Sequence, residues 1–100
     1  MYGTVARVRI KPGTAEQWTA LQAEYDDTHI DGFIASYVYR LDVDPDDHYL
    51  VVMFRDEASY RANASAPDQD ARYRKMRDLL AEDPKWHDGE IIWTSAQATE

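Results

Sequence analysis

The sequence predicts an α+β fold: one four-stranded antiparallel sheet that carries its helices on one side, in the order β-α-β-β-α(α)-β. Three observations predict it. Four segments are rich in β-branched and aromatic residues, and between them lie stretches with helical spacing of apolar residues. The two middle β segments are separated only by the acidic, proline-containing turn DVDPDD, which makes them an antiparallel hairpin. A length of 100 residues leaves room for one core, so residues 1–100 are expected to form a single domain.

The elements follow in order. Tyr2 to Ile10 alternates, with Val5, Arg7 and Arg9 on one face and Thr4, Ala6, Val8 and Ile10 on the other, as in a strand. Pro12-Gly13 breaks it, and Thr14 followed by Gln17 fits a capping box that opens a helix. Trp18, Leu21 and Tyr25 form its apolar stripe, which ends at Asp26-Asp27-Thr28. Phe33 to Leu41 and His48 to Arg55 are the hairpin strands. Asp56 can cap a short helix carrying Tyr60, Asn63 to Pro67 interrupts it, and Asp68 opens a longer helix with Tyr73, Met76, Leu79 and Leu80 on its inner face. Asp83-Pro84 stops that helix, and Glu90 to Ser95 is expected to be the last strand.

This order is the split β-α-β, ferredoxin-like arrangement. A sheet with helices on one face only should alternate apolar and polar residues, yet here both faces are apolar. Leu50, Val52 and Phe54 oppose Tyr49, Val51 and Met53, while Phe33, Tyr37 and Tyr39 oppose Ile34 and Val38. The helices can cover one face. The other is therefore expected to meet a second copy, giving a homodimer joined sheet to sheet.

Composition excludes several classes of chemistry. There is no cysteine, so disulfides, thiolate metal sites and cysteine nucleophiles are ruled out. The net charge is −8, half of it in Asp42, Asp44, Asp46 and Asp47, and no basic stripe with interleaved aromatics suggests a nucleic-acid partner. The apolar run Leu50 to Phe54 is far short of the ~20 residues of a membrane helix, and Met1 to Arg9 has no signal-peptide pattern. No membrane partner and a soluble, cytoplasmic location are the expectations. Asp42, Asp44 and Asp46 imitate the start of a calcium loop, but Asp47 stands where glycine is needed and Met53 where glutamate is needed, so they read as solvated turn carboxylates and no metal is expected. In the third helix, Asp70 and Arg74 stand at i, i+4.

Four stretches carry a family resemblance: VARVRIKPG before a helix, HIDGFIASYVYR, YLVVMFRDEASY running into a helix, and WHDGEIIW. Together they resemble the antibiotic biosynthesis monooxygenase (ABM) family over roughly Tyr2 to Ser95. The resemblance implies homodimers whose two sheets join into an α+β barrel, and activities that include cofactor-free oxygenation of anthrones or quinols and, in one branch, oxidative haem degradation. That branch uses a histidine on the helix after the third strand, an upstream tryptophan and an asparagine on the first strand. Here no histidine or tryptophan lies between Asp56 and Glu82, and the first strand has no asparagine, so haem degradation is disfavoured.

Cofactor-free oxygenation asks three things of a protein: a dry cavity, a group that takes or shares a phenolic proton, and aromatic walls. Asn63 falls where the resemblance places pocket residues, and serves either a substrate oxygen or a helix terminus. Tyr73 heads an inner stripe, so its hydroxyl needs a protein or ligand partner. His87, between Trp86 and Asp88, is the candidate base among three histidines. The expected catalytic set is therefore Asn63, Tyr73 and His87, with Trp86, Trp93, Tyr25 and Met76 binding substrate. The first hypothesis is a monooxygenase without a cofactor, acting on a small aromatic or quinol-type ligand held between sheet and helices. The alternative is a non-catalytic ligand-binding or interaction module of the same dimeric fold.

Overall fold

In a computed structural model, which describes residues 1–26 and 29–95 apart from the side chains of Tyr25 and Asp26, the chain runs β1 (Tyr2–Arg9), α1 (Ala15–Asp26), β2 (Phe33–Arg40), β3 (Asp47–Phe54), α2 (Glu57–Ala64), α3 (Pro67–Asp78) and β4 (Lys85–Glu90). The four strands form one antiparallel sheet in the order β2-β3-β1-β4. This is the ferredoxin-like α+β arrangement that the sequence predicts.

The alternation of β1 decides which face meets the helices. Thr4, Ala6, Val8 and Ile10 are buried, whereas Val5 and Arg7 on the opposite face are exposed. Trp18 and Leu21 of α1, Met76 of α3, and Leu80 close over Ala6, Val8, Ile10 and Leu50 to make the core. Tyr73 and Leu79 pack against its edge. Each apolar side chain fully buried there contributes roughly 1.5–3 kcal/mol of transfer free energy.

Several local expectations are corrected. The last strand is Lys85–Glu90, not Glu90 to Ser95. β4 is an edge strand whose ladder with β1, Arg7↔Lys85 through Tyr2↔Glu90, outweighs the stronger β propensity of the segment after it. Among the described residues after it, only the Ile91 N–H continues the pairing, donating to the Met1 carbonyl at 2.9 Å, and Trp93 is left 80% exposed. In β2, a register shift between Phe33 and Ala35 turns Phe33 to the helix side with its partner Phe54, away from the face of Tyr37 and Tyr39. Thr14 makes no capping box: its hydroxyl donates to the Lys11 carbonyl at 2.6 Å. Helix α3 starts one residue earlier than expected, at Pro67, whose missing N–H costs nothing at a first turn, and it ends at Asp78 rather than at Asp83-Pro84.

The acidic turn is also more than solvated charge. Arg9 reaches Asp44 at 2.8 Å and Asp47 at 3.0 Å, and Arg7 reaches Asp47 at 3.1 Å. Asp47 is buried, and its two arginine partners neutralise it. Hydrogen bonding to Arg9 holds the Asp44 carboxyl below its usual range. Asp56 caps α2 as expected, accepting from the Ser59 N–H at 2.8 Å and from the Ser59 hydroxyl at 2.6 Å, which pulls its pKa down to about 2. Gly32 (φ 78°) makes the turn into β2 with Ser59 packed where a Cβ would stand.

Candidate functional site

The helix-facing side of the sheet is solid at one end and hollow at the other. Near Ile10 the rings of Trp18 and His48 (centroids 5.9 Å apart) and the side chain of Leu80 fill the space. Near Thr4 the sheet presents short side chains, Thr4, Ser36 and Val52, and α2 contributes Ala64. A cavity of about 420 Å³ remains between them and the helices. That volume suits a small molecule, and its walls are mostly apolar with a few polar groups.

Four of the expected site residues meet there. Asn63 comes from α2, Tyr73 and Met76 from α3, and Trp86 from β4, where pairing with the buried Ala6 aims it at the helices. Tyr73 and Trp86 form one aromatic wall, with ring centroids 6.4 Å apart and planes tilted by 44°. Neither the Asn63 amide nor the Tyr73 hydroxyl bonds another described residue, so both are available to a ligand. The side chain of Tyr25 lies outside the described residues.

The other two lie elsewhere. His87 pairs with Val5, and with Trp93 it lines a shallow groove of about 310 Å³ on the opposite face of the sheet. The cause is geometric: neighbours along a strand point to opposite faces, so a cavity that takes Trp86 and Asp88 excludes His87.

Residues not singled out in the sequence complete the site. The Tyr60 hydroxyl donates to Asp88 Oδ1 at 2.8 Å, and Arg61 reaches Asp88 Oδ2 at 3.4 Å. Burial and then the Asp88 carboxylate push the Tyr60 pKa up to about 12, so the phenol keeps its proton at neutral pH. Arg61 also donates to the Tyr2 hydroxyl at 2.9 Å and sits over the rings of Tyr2 and Tyr60. The buried Thr4 hydroxyl lies close enough to lower the Tyr60 pKa slightly, yet it makes no hydrogen bond of good geometry, and Gln22 Nε2 also lacks a partner. Two spacings carried the signal: Tyr60 stands three residues before Asn63 on one helix, and Asp88 two after Trp86 on one strand. Among the described residues no group of three or more histidine, cysteine, aspartate or glutamate side chains could hold a metal ion.

Residues 1–74 match the family model of the antibiotic biosynthesis monooxygenases. The chain belongs to that family. Solved structures agree at the level of fold. SnoaB, a cofactor-independent oxygenase from Streptomyces nogalater solved as an asparagine-to-alanine mutant, superposes with a TM-score of 0.81 at 14% identity, over 96% of this chain and 97% of that one. A candidate antibiotic biosynthesis monooxygenase from Nitrosomonas europaea gives 0.77 at 15% identity, over 93% and 100% of the two chains. A conserved protein from Methanosarcina mazei Go1 gives 0.77 at 16% identity, over 88% and 89%. No curated protein matches the sequence. No helix among the described residues of this ABM domain is long and apolar enough to cross a membrane.

Proposed function

We propose that this ABM domain is a cofactor-independent monooxygenase for a small aromatic, quinol-type substrate, bound in the cavity between the sheet and the helices. The observation that carries the reading is a roughly 420 Å³ space lined by Asn63, by Tyr73 and by the Trp86 ring beside it. SnoaB, of the same fold, is a cofactor-independent oxygenase, which agrees with it.

The chemistry asks little covalent work of the protein. Ground-state dioxygen is a triplet and reacts readily once the substrate is an electron-rich anion that gives up one electron. One oxygen atom then enters the substrate carbon, and the other leaves as water with two hydrogens of the substrate, one from that carbon and one from the ionised hydroxyl. The Asn63 amide donates to the substrate oxygen on which negative charge develops, and such a donor acts most strongly where water is excluded. Tyr73 and Trp86 hold the aromatic ring in place.

The working unit in this proposal is a homodimer. On the open face Val5, Val51 and Tyr37 lie in one row across β1, β3 and β2, and Tyr37 and Tyr39 are 62% and 61% exposed. A contiguous apolar row of this kind fits a second copy of the same sheet.

Oxygen uptake with a panel of anthrones and hydroquinones tests the reading. Uptake above the buffer rate, lost in Asn63→Ala, supports the oxygenase. Saturable binding of the same compounds without uptake supports the non-catalytic module instead, a reading favoured by the place of His87 outside the cavity.

A further inference from the structure

The polar groups of the cavity are not alike. Asn63 and Gln22 are neutral amides that can both donate and accept. The other carboxylate on the cavity wall, Asp70, is mostly exposed and held by Arg74 at 2.9 Å. Among the described residues of the cavity, a charged group stands among aromatic rings only at the Thr4 end: Asp88 beside Tyr60, which packs edge-on against Phe54 at 5.6 Å. Here Tyr60 spends its single proton on Asp88, so what it offers the cavity is oxygen lone pairs. The Asp88 carboxylate is an acceptor outright, and the neighbouring Thr4 Oγ1 is buried with no hydrogen-bond partner. The Thr4 hydroxyl can donate as well as accept and Arg61 already donates to Asp88 Oδ2, so what this end leaves open to a ligand donor is the lone pairs of the Tyr60 oxygen and of Asp88 Oδ1.

We propose that Tyr60 and Asp88 form a hydroxyl-reading end of the cavity, which accepts a hydrogen bond, and in turnover the proton, from a phenolic O–H of the bound aromatic. The inference rests on the ligand cavity proposed above, and supplies the proton acceptor that His87, on the opposite face, cannot be. The step balances. The ligand O–H bond breaks and its proton passes to the Tyr60 oxygen as the Tyr60 proton passes to Asp88 Oδ1. The electron pair stays on the ligand oxygen as a phenolate, and the carboxylate becomes a carboxylic acid. Arg61, stacked on the rings of Tyr2 and Tyr60, faces Asp88 Oδ2 and keeps that oxygen occupied, so the proton goes to Oδ1.

The experiment is equilibrium binding of two probes, naphthol and its methyl ether, to the full chain and to Tyr60→Phe and Asp88→Asn. The unaltered protein should hold naphthol at least about tenfold tighter than the ether, as one hydrogen bond to a charged pair allows. Both variants should lose that preference while binding the ether as before, and the unchanged ether affinity shows that the cavity is intact. A preference that survives in both variants, equal affinities in the unaltered protein, or binding of neither probe would overturn the inference. If the preference is found but no compound drives oxygen uptake, the oxygenase reading fails and this one stands. If uptake is found without the preference, the reverse holds.

Discussion

The Tyr60 hydroxyl lies 2.8 Å from Asp88 Oδ1 and ties helix α2 to the edge strand β4 across the mouth of the cavity. Tyr60 and Asp88 are 28 residues apart, and the bond exists only because the β1–β4 register puts Asp88 opposite Thr4, on the helix side of the sheet. A phenol part-buried and so held should titrate late. In the ultraviolet difference spectrum between the unaltered protein and Tyr60→Phe, phenolate absorption should rise near pH 12. Asp88→Asn should move that rise toward the ordinary tyrosine range. Stability follows with a definite sign: the unfolded phenol ionises near pH 10 and the folded one near 12, so Tyr60 stabilises the fold fully below pH 10 and loses that contribution between the two values. A rise already complete at pH 10 would remove this bond from the account.

The solid end of the sheet should be costly to hollow out. Trp18 is 2% exposed and Leu80 1%, both within the core cluster. Trp18→Ala or Leu80→Ala should lower unfolding free energy by ~3–5 kcal/mol in urea titrations. Asn63 lies at the hollow end, and Asn63→Ala should change stability by less than about 1 kcal/mol while reducing turnover ~100-fold. Equal stability losses at the two ends would mean that the cavity is packed in solution.

The cap of α2 carries a pH signature. Two hydrogen bonds from Ser59 hold the Asp56 pKa near 2, against an ordinary value of 3.8. The depressed value means that the stabilisation is present above pH 3.8 and is lost as pH falls through 2. Thermal melts of the unaltered protein and Asp56→Asn should therefore differ most at neutral pH and converge on acidification across that window. A gap independent of pH would show that the capping carboxylate is not the cause.

The open face should separate when charge is placed on it. Val51 stands between Val5 and Tyr37 in the middle of the row. Sedimentation velocity should show a dimer for the unaltered chain and an 11.6 kDa species for Val51→Asp, with the fold retained by circular dichroism. An unaltered chain that sediments as a monomer would remove the second copy from the proposal.

Much of this fold was legible because side-chain periodicity reports burial directly. Thr4, Ala6, Val8 and Ile10 announced the buried face of β1, and Met76 and Leu80 the inner face of the third helical stretch. What escaped was set by pairing rather than by local preference. The segment Lys85–Glu90 is exposed along its length and holds one glycine, so nothing in it resembles a buried strand, yet β1 recruits it as an edge. That displacement of the last strand decided the site. It turned Trp86 and Asp88 into the cavity and carried His87 to the other face, and it left Trp93 beyond the strand's end. The bulge near Ile34 acted similarly, since one extra residue moves Phe33 to the helix side. Tyr73 and Met76 were legible because helical spacing puts them on an inward face, whereas Asn63 was legible through the family resemblance.

In the proposed reaction the cavity between sheet and helices oxygenates an aromatic substrate without a cofactor. This reaction is tested most directly by mass spectrometry of product formed under isotopically labelled dioxygen from an anthrone, with the unaltered protein and with Asn63→Ala. The expected result is one labelled oxygen atom in the product, formed faster than in buffer, with the acceleration largely lost in the variant. A product formed no faster than in buffer, or an acceleration untouched by Asn63→Ala, would contradict it.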